Sequence, residues 1–356
     1  MRRFVVDINL YMFINRTSYF SKKITFMNVM LTFMIVVLHS GTPGRWGLPL
    51  EEYPFIYGVS TLAQIGVPMF FFISGLLFYR TCCFKDIERK LHSRVRSLLV
   101  PYLLWNTLFV GIYFILAHIP FIHDKMNMGE VLNSPSEIIR AIINSGYTPL
   151  WFVKDLMIFC LLSAGVFIAL KSKKTALVVW ILSIVLALSN DYPYEHIFMW
   201  FPMYFSGAVI GKYYVKETKP YINIQSEFYK YVYTALLLMF FIILYVVSIL
   251  MPNSLFYFRL FSPVIIWFLT DGLLCNFLDK KFQVKSWMGY MFFIYCTHYF
   301  LLNVLQKLVS LVCPPTSLVL NATYIISPII VILILVCLAK FLSRYKFYVY
   351  LSGGRQ

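Results

Sequence analysis

Ten stretches of about 20 mostly apolar residues follow one another along the chain, and a run of that length is what a helix needs to cross the hydrocarbon core of a bilayer. They cover residues 24–43, 59–79, 98–118, 150–170, 175–190, 197–214, 231–251, 258–278, 287–308 and 321–342. Lipid offers no partner for a free backbone N–H or C=O, so each run has to close its own hydrogen bonds as a helix. The sequence therefore predicts an all-α fold, a polytopic transmembrane helical bundle of about ten spans. The fifth and sixth stretches are short and Pro202 interrupts the sixth, which makes nine the alternative count. Composition agrees: 60% of the 356 residues are apolar and 13% are charged, about half the charged fraction of an ordinary soluble domain. A soluble enzyme is excluded on that ground.

The 31 Lys and Arg against 15 Asp and Glu leave a net charge of +16, which in a soluble protein would point to nucleic acid. In a membrane protein the placement of those charges decides their meaning. With the N-terminus on the cytoplasmic side, 25 of the 31 fall in the N-terminal segment, in loops 80–97, 171–174, 212–230 and 280–285, and at the C-terminal end. Only Arg45, Lys125 and Arg140 fall in the opposite loops, while Lys154, Arg259 and Lys307 lie within or at the ends of spans. The surplus is an orientation signal that puts both termini in the cytoplasm, and nucleic acid is not an expected partner.

Residues 1–23 are expected to form a retained cytoplasmic or interfacial N-terminal segment, because Asp7, Asn9, Asn15 and Arg16 break up any signal-peptide core. Residues 24–343 form the membrane domain and 344–356 a cytoplasmic tail. The longest outer loop, 119–149, carries Pro120, Gly129, Pro135 and Gly146 and is expected to cap the outer face. The seven cysteines show no CxxC pair and no zinc-like Cys/His spacing, so neither a disulfide framework nor a metal site is expected.

Ionisable groups inside spans are costly unless they face a cavity or a partner, so each is a functional candidate. His39 closes the first span in NVMLTFMIVVLHSG. A histidine there serves either as a hydrogen-bonded interface residue or as a general base for a hydroxyl nucleophile. The fourth span opens with LWFVKDLM, which puts Lys154 and Asp155 about one turn into the bilayer. Lys154 can snorkel outward; Asp155 has no such escape. Arg259 and His298 fall at similar depth, and together these residues are expected to line an outward-facing polar cavity. Asp271 falls in the cytoplasmic half, where a structural partner within the bundle is the expectation. At the cytoplasmic entry to the third span, KDIERKLHSRVRSLLVPYLLWN clusters Lys90, Arg94 and Arg96. These are either topological anchors on anionic lipid or a phosphate clamp, since Arg forks bind phosphate bidentately. Gly207 and Gly211 form a GxxxG suited to close helix packing.

The ordered set VVLHS, GVPMFFFISGLLFYR, RVRSLLVPYLLWN, LWFVKDLM, FPMYFSGAVIGKY and SWMGYMFFIYCTHYFLL resembles acyltransferase family 3, the integral-membrane bacterial transferases that O-acylate surface sugars. The resemblance runs from about residue 24 to 343. It implies a cytoplasmic acyl-CoA donor, most simply acetyl-CoA, and a hydroxyl acceptor on a surface glycan or lipid-linked sugar. Its histidine corresponds to His39 and its basic cluster to Arg94 and Arg96. Where the family usually carries Arg or Lys eleven positions before the histidine, this chain has Asn28, which can hydrogen-bond but supplies no charge.

On this reading coenzyme A docks at Arg94 and Arg96, with Lys90 assisting, and its pantetheine arm passes Asn28. His39 takes the proton of the sugar hydroxyl, and Lys154 or Arg259 steadies the oxyanion. Direct transfer and an acyl-enzyme on His39 both fit. The other partner is membrane lipid, and a homo-oligomer is left open. A carrier that moves a sugar intermediate without modifying it is the alternative, with Pro68, Pro202 and Pro263 marking gates.

Overall fold

The computed structural model describes residues 18–81, 83–119, 134–189, 192–215 and 227–354. Residues 1–17, most of the outer loop including Pro120, Lys125 and Gly129, and residues 355 and 356 of the tail lie outside the described residues. Among the described residues there is no strand, and each of the ten apolar stretches is helical.

The first, α1 (Tyr19–Leu38), starts five residues before the expected span, because the Ser18 side chain accepts a hydrogen bond from the Ser21 N–H at 3.3 Å and caps the helix there. The second stretch is two helices, α2 (Pro54–Ala63) and α3 (Gly66–Arg80), parted at Gln64 and Ile65. A short helix, α4 (Ile87–Arg94), runs through the wide π turn Val95–Leu99 into α5 (Val100–Ala117). After the outer helix α6 (Pro135–Ile143), the fourth stretch bends by 60° between α7 (Trp151–Leu161) and α8 (Ser163–Ala169). Then come α9 (Lys173–Leu188), α10 (Ile197–Tyr213), α11 (Glu227–Leu250), α12 (Leu255–Asn276), α13 (Met291–Val312) and α14 (Ser317–Leu342), followed by the four-residue α15 (Tyr348–Leu351).

Among the described residues, seven helical segments are long and apolar enough to cross a membrane, and an eighth if bent α7 and α8 count as one span. The chain is thus a multi-pass membrane protein. The expected ten crossings do not follow from length: α9 and α10 have 16 and 17 residues, about 24–26 Å of helix at 1.5 Å per residue, against a hydrocarbon core of about 30 Å. Pro202 does not break α10, nor Pro263 α12, since in a packed bundle neighbouring groups make up for the one missing N–H.

Contacts at the two ends agree with alternating spans. On the α1 start side, Lys22 donates to the Asp279 carbonyl at 2.7 Å. On the opposite side, Trp46 donates to the Cys313 carbonyl at 3.2 Å. Between lipid-facing helices there is little hydrophobic drive, so close packing carries association. The tightest approach is α3 on α10: a Cβ on Gly75 would collide with the Tyr204 carbonyl, and one on Gly207 with the Phe72 carbonyl. Gly211 meets the Leu76 backbone in the same way, so the GxxxG lets two backbones touch. Over this seam, Phe71 stacks on Trp200 at 5.7 Å and meets Phe152 at 4.5 Å.

Near its start, α1 is bolted to α12. Lys23, 1% exposed, lies 2.6 Å from Asp271 Oδ1 and 2.7 Å from the Trp267 carbonyl, with its Nζ 3.6 Å over the Trp267 ring. The Tyr19 hydroxyl donates to the same carboxylate oxygen. Asp271 therefore has the structural partner its depth calls for, and that partner comes from the helix that carries His39.

Candidate functional site

Four polar side chains, Ser21, Thr25, Asn28 and Thr32, recur on α1 at spacings of four, three and four. That period keeps them on one helix face, and all four line a cavity of about 560 Å³. Phe70, Ser74 and Leu77 of α3 and Phe152, Val153 and Leu156 of α7 form further walls, and Phe292 and Tyr295 of α13 close another side. Two cations reach it: Arg94, from the end of α4, and Lys285, just before α13. No carboxylate is among the lining residues. Neither cation makes an ion pair among the described residues.

The other members of the basic cluster lie elsewhere. Lys90 donates to the Phe78 carbonyl in the last turn of α3 and lies against the Phe78 ring, Arg89 pairs with Asp86 at 2.8 Å, and Arg96 is exposed outside the cavity.

At the far end of the cavity, Phe152 meets Phe70 at 6.0 Å and Tyr295 at 5.9 Å between ring centroids. These three rings pack against one another in the cavity wall. The cavity-facing stripes of α1 and α13 continue past them. On α1, His39 stands eleven residues after Asn28, three turns and about 16 Å along the same face. On α13, His298 and Tyr299 follow Tyr295 by three and four residues, again on one face. The two stripes meet: the His39 ring lies 5.3 Å from His298 and 5.1 Å, edge-on, from Tyr299.

The tautomer of His298 follows from its partners. Nδ1 lies 2.7 Å from the Tyr295 carbonyl, and a carbonyl only accepts, so Nδ1 carries the proton. Nε2 is left with its lone pair, buried and without a hydrogen-bond partner. Chemically that is a base held ready for a hydroxyl. Just outside the pair, Arg45 donates to Gln306 Oε1 at 3.2 Å and to Asn303 Oδ1. Gln306 Nε2 in turn donates to Ser40 Oγ at 2.9 Å and Ser327 Oγ at 3.0 Å. This network ties the residue after His39 to α13 and α14. The sequence signal for it was the pair Asn303 and Gln306 inside an apolar span.

The remaining candidates are not joined to the histidines by any hydrogen bond or ring contact. Asp155 is fully buried on α7 with neither carboxylate oxygen hydrogen-bonded. Lys154 beside it is partly buried. Arg259 donates to Gln64 Oε1 at 2.8 Å, across the break between α2 and α3, and lies over the rings of Tyr194 at 4.8 Å and Trp200 at 5.8 Å. No group of three or more His, Cys, Asp or Glu that could hold a metal occurs among the described residues.

A cavity with cations at its mouth and an unpartnered imidazole beyond its end is what group transfer across a bundle requires, and comparison with known proteins agrees. An acyltransferase domain model matches residues 22–344, nearly the whole chain. The chain belongs to acyltransferase family 3. A similar protein is the succinoglycan biosynthesis protein ExoH of Rhizobium meliloti (strain 1021), 30% identical over 155 residues, which is 40% of this chain and 41% of that protein. The match thus spans about two fifths of that relative's length. No solved structure matches. A membrane protein of this family has to hold an acyl donor and bring a nucleophile to it.

Proposed function

We propose that the protein is an O-acyltransferase that takes an acyl group from cytoplasmic acyl-CoA and passes it to a hydroxyl of a surface polysaccharide or lipid-linked sugar. The observation that carries this reading is the cavity with two cations and no carboxylate at its lining, whose α1 and α13 walls lead to His39 and His298. The relative named for succinoglycan biosynthesis supports a glycan acceptor. In this reading the protein sits in the inner membrane of a bacterium, both termini are cytoplasmic, and residues 24–343 are the catalytic domain with ten helices.

The donor's phosphates stay at Arg94, and the pantetheine arm runs along Ser21, Thr25, Asn28 and Thr32, whose short polar groups suit its amides. The aromatic end of the cavity, Phe70, Phe152 and Tyr295, has no cation. It therefore favours a small uncharged acyl group, acetyl, over a dicarboxylic one such as succinyl. At the histidines, the acceptor hydroxyl gives its proton to the imidazole of His39 while its oxygen attacks the thioester carbonyl. The tetrahedral intermediate then collapses, the C–S bond breaks, and the thiolate takes the proton back to leave as coenzyme A. The Nε2 lone pair of His298 accepts a hydrogen bond from a neighbouring hydroxyl of the same sugar and so orients the acceptor, and Lys154, Asp155 and Arg259 tune charge around the reacting oxygens.

The test is transfer of radiolabel from acetyl-CoA and from succinyl-CoA by purified protein in liposomes with candidate glycans. Label on the glycan from acetyl-CoA alone is the expected result. Label from succinyl-CoA alone would overturn the acetyl assignment, and glycan moved across the bilayer without label would establish a carrier instead.

A further inference from the structure

Of the basic residues in the 280–285 loop, one differs from the rest in where its side chain goes. Lys280 and Lys281 are exposed at the end of the π turn Phe277–Lys281, whereas Lys285 reaches the rim of the 560 Å³ cavity together with Ser286. Arg94 reaches the same cavity from the end of α4. Two positive charges thus share one mouth, and none of its lining residues is acidic. Like charges on one small cavity repel, and a fold that keeps both without a countercharge leaves that repulsion for an anion to relieve.

We infer that Lys285 and Arg94 are the two jaws of a phosphate clamp, one from the loop before α13 and one from the end of α4, closing on the phosphate groups of a nucleotide-bearing acyl donor. The inference rests on the proposed function for the identity of the donor, but the anion site itself does not. It gives Lys285 a binding role and leaves Lys90 and Arg96 as the anchor of α3 and an exposed charge. The division of labour is physical. Arg94, partly buried, offers a planar fork with fixed geometry, while Lys285, at the exposed rim, offers a mobile point charge that can follow the donor as it enters.

The experiment is a cycle of two proteins and two donors, measured on full-length protein in nanodiscs of zwitterionic lipid. Acetyl-CoA carries the phosphates and acetyl-pantetheine carries none. Lys285→Ala is expected to raise KM for acetyl-CoA about three- to tenfold, the effect of losing one exposed charge-assisted contact, with kcat unchanged and KM for acetyl-pantetheine unchanged. Lys285→Arg restores the KM, and the loss shrinks at high salt because the contact is screened. Lys346→Ala, which removes a cytoplasmic lysine outside the cavity, changes nothing. An equal rise for both donors, or no rise for either, would overturn the clamp. Binding of 3′,5′-adenosine bisphosphate, followed by thermal shift, separates this from failure of the proposed function. If no transfer occurs at all, weaker binding by Lys285→Ala still supports the clamp, and unchanged binding overturns it. If phosphatidylglycerol in the nanodisc competes away the bisphosphate, the cations serve lipid headgroups and the inference fails.

Discussion

Where α1 meets α12, Lys23 and Asp271 are 1% and 2% exposed, lie 2.6 Å apart, and have a carbonyl, a phenol and an indole ring to complete their contacts. Asp155 and His298 are at least as buried, yet both carboxylate oxygens of the first and Nε2 of the second have no partner. The same chain thus meets the cost of burying charge in one place and leaves it standing in another. Buried polar atoms are almost always satisfied, and the exceptions are where a fold keeps something in reserve. Lys23 and Asp271 therefore hold α1 against α12, and the unsatisfied groups are the ones to test against substrate.

Several substitutions would break or sharpen this contrast. The largest effect is expected at the histidines: His39→Ala lowers acyl transfer by about 10²- to 10⁴-fold with the amount of protein in the membrane unchanged, as read by label incorporation and by blotting. Retained transfer would remove His39 from the chemistry. Next, Asp271→Ala strands Lys23 as an unpaired buried cation and costs about 3–5 kcal/mol, seen as loss of folded protein in a thermal-stability assay. The double variant Lys23→Met with Asp271→Leu recovers most of that stability, because an apolar pair of similar volume needs no partner. Asp155→Asn should behave in the opposite way. No hydrogen bond is lost, so stability changes by less than about 1 kcal/mol, while transfer falls at least about tenfold if the carboxylate acts on substrate. Loss of stability without loss of turnover would place Asp155 with Asp271 and abolish the contrast. The smallest effect is expected at Asn28→Lys, which adds a third cation to the cavity and lowers KM for the donor a few-fold at low salt, with the gain disappearing at high salt.

Much of this architecture was legible in the sequence because membrane helices announce themselves by length and apolarity. All ten apolar stretches are helices, and the histidine expected at the end of the first does lie against the one expected in the ninth. Where the reading fell short, the reason is local. The 60° bend at Leu162 has no proline to mark it, whereas Pro202, which looked like an interruption, sits inside an unbroken α10. The count of crossings was blurred because α9 and α10 are a turn or so short of a full span. Lys285 was hidden in a loop of three basic residues that the orientation rule already explained. Lys23 was assigned to the segment before the first span, since one residue beyond an apolar run looks the same whether it faces water or folds back onto Asp271. Ser21 and Thr25 gave no signal of their own, and the polar stripe emerges only when their period is carried through Asn28 and Thr32 towards His39.

The three rings of Phe70, Phe152 and Tyr295 have a meaning for the cell that goes beyond the reaction. A protein that reaches from the cytoplasm to the outer side along one polar line is a potential leak, and protons would use it long before an acyl group did. Aromatic rings packed in the wall between the cavity and the histidines are expected to keep an electrical seal across the membrane while leaving only a thin barrier for the thioester to pass. Liposomes carrying the protein are therefore expected to hold a pH gradient as well as empty ones do, and enlarging the gap with Phe152→Ala is expected to let that gradient run down.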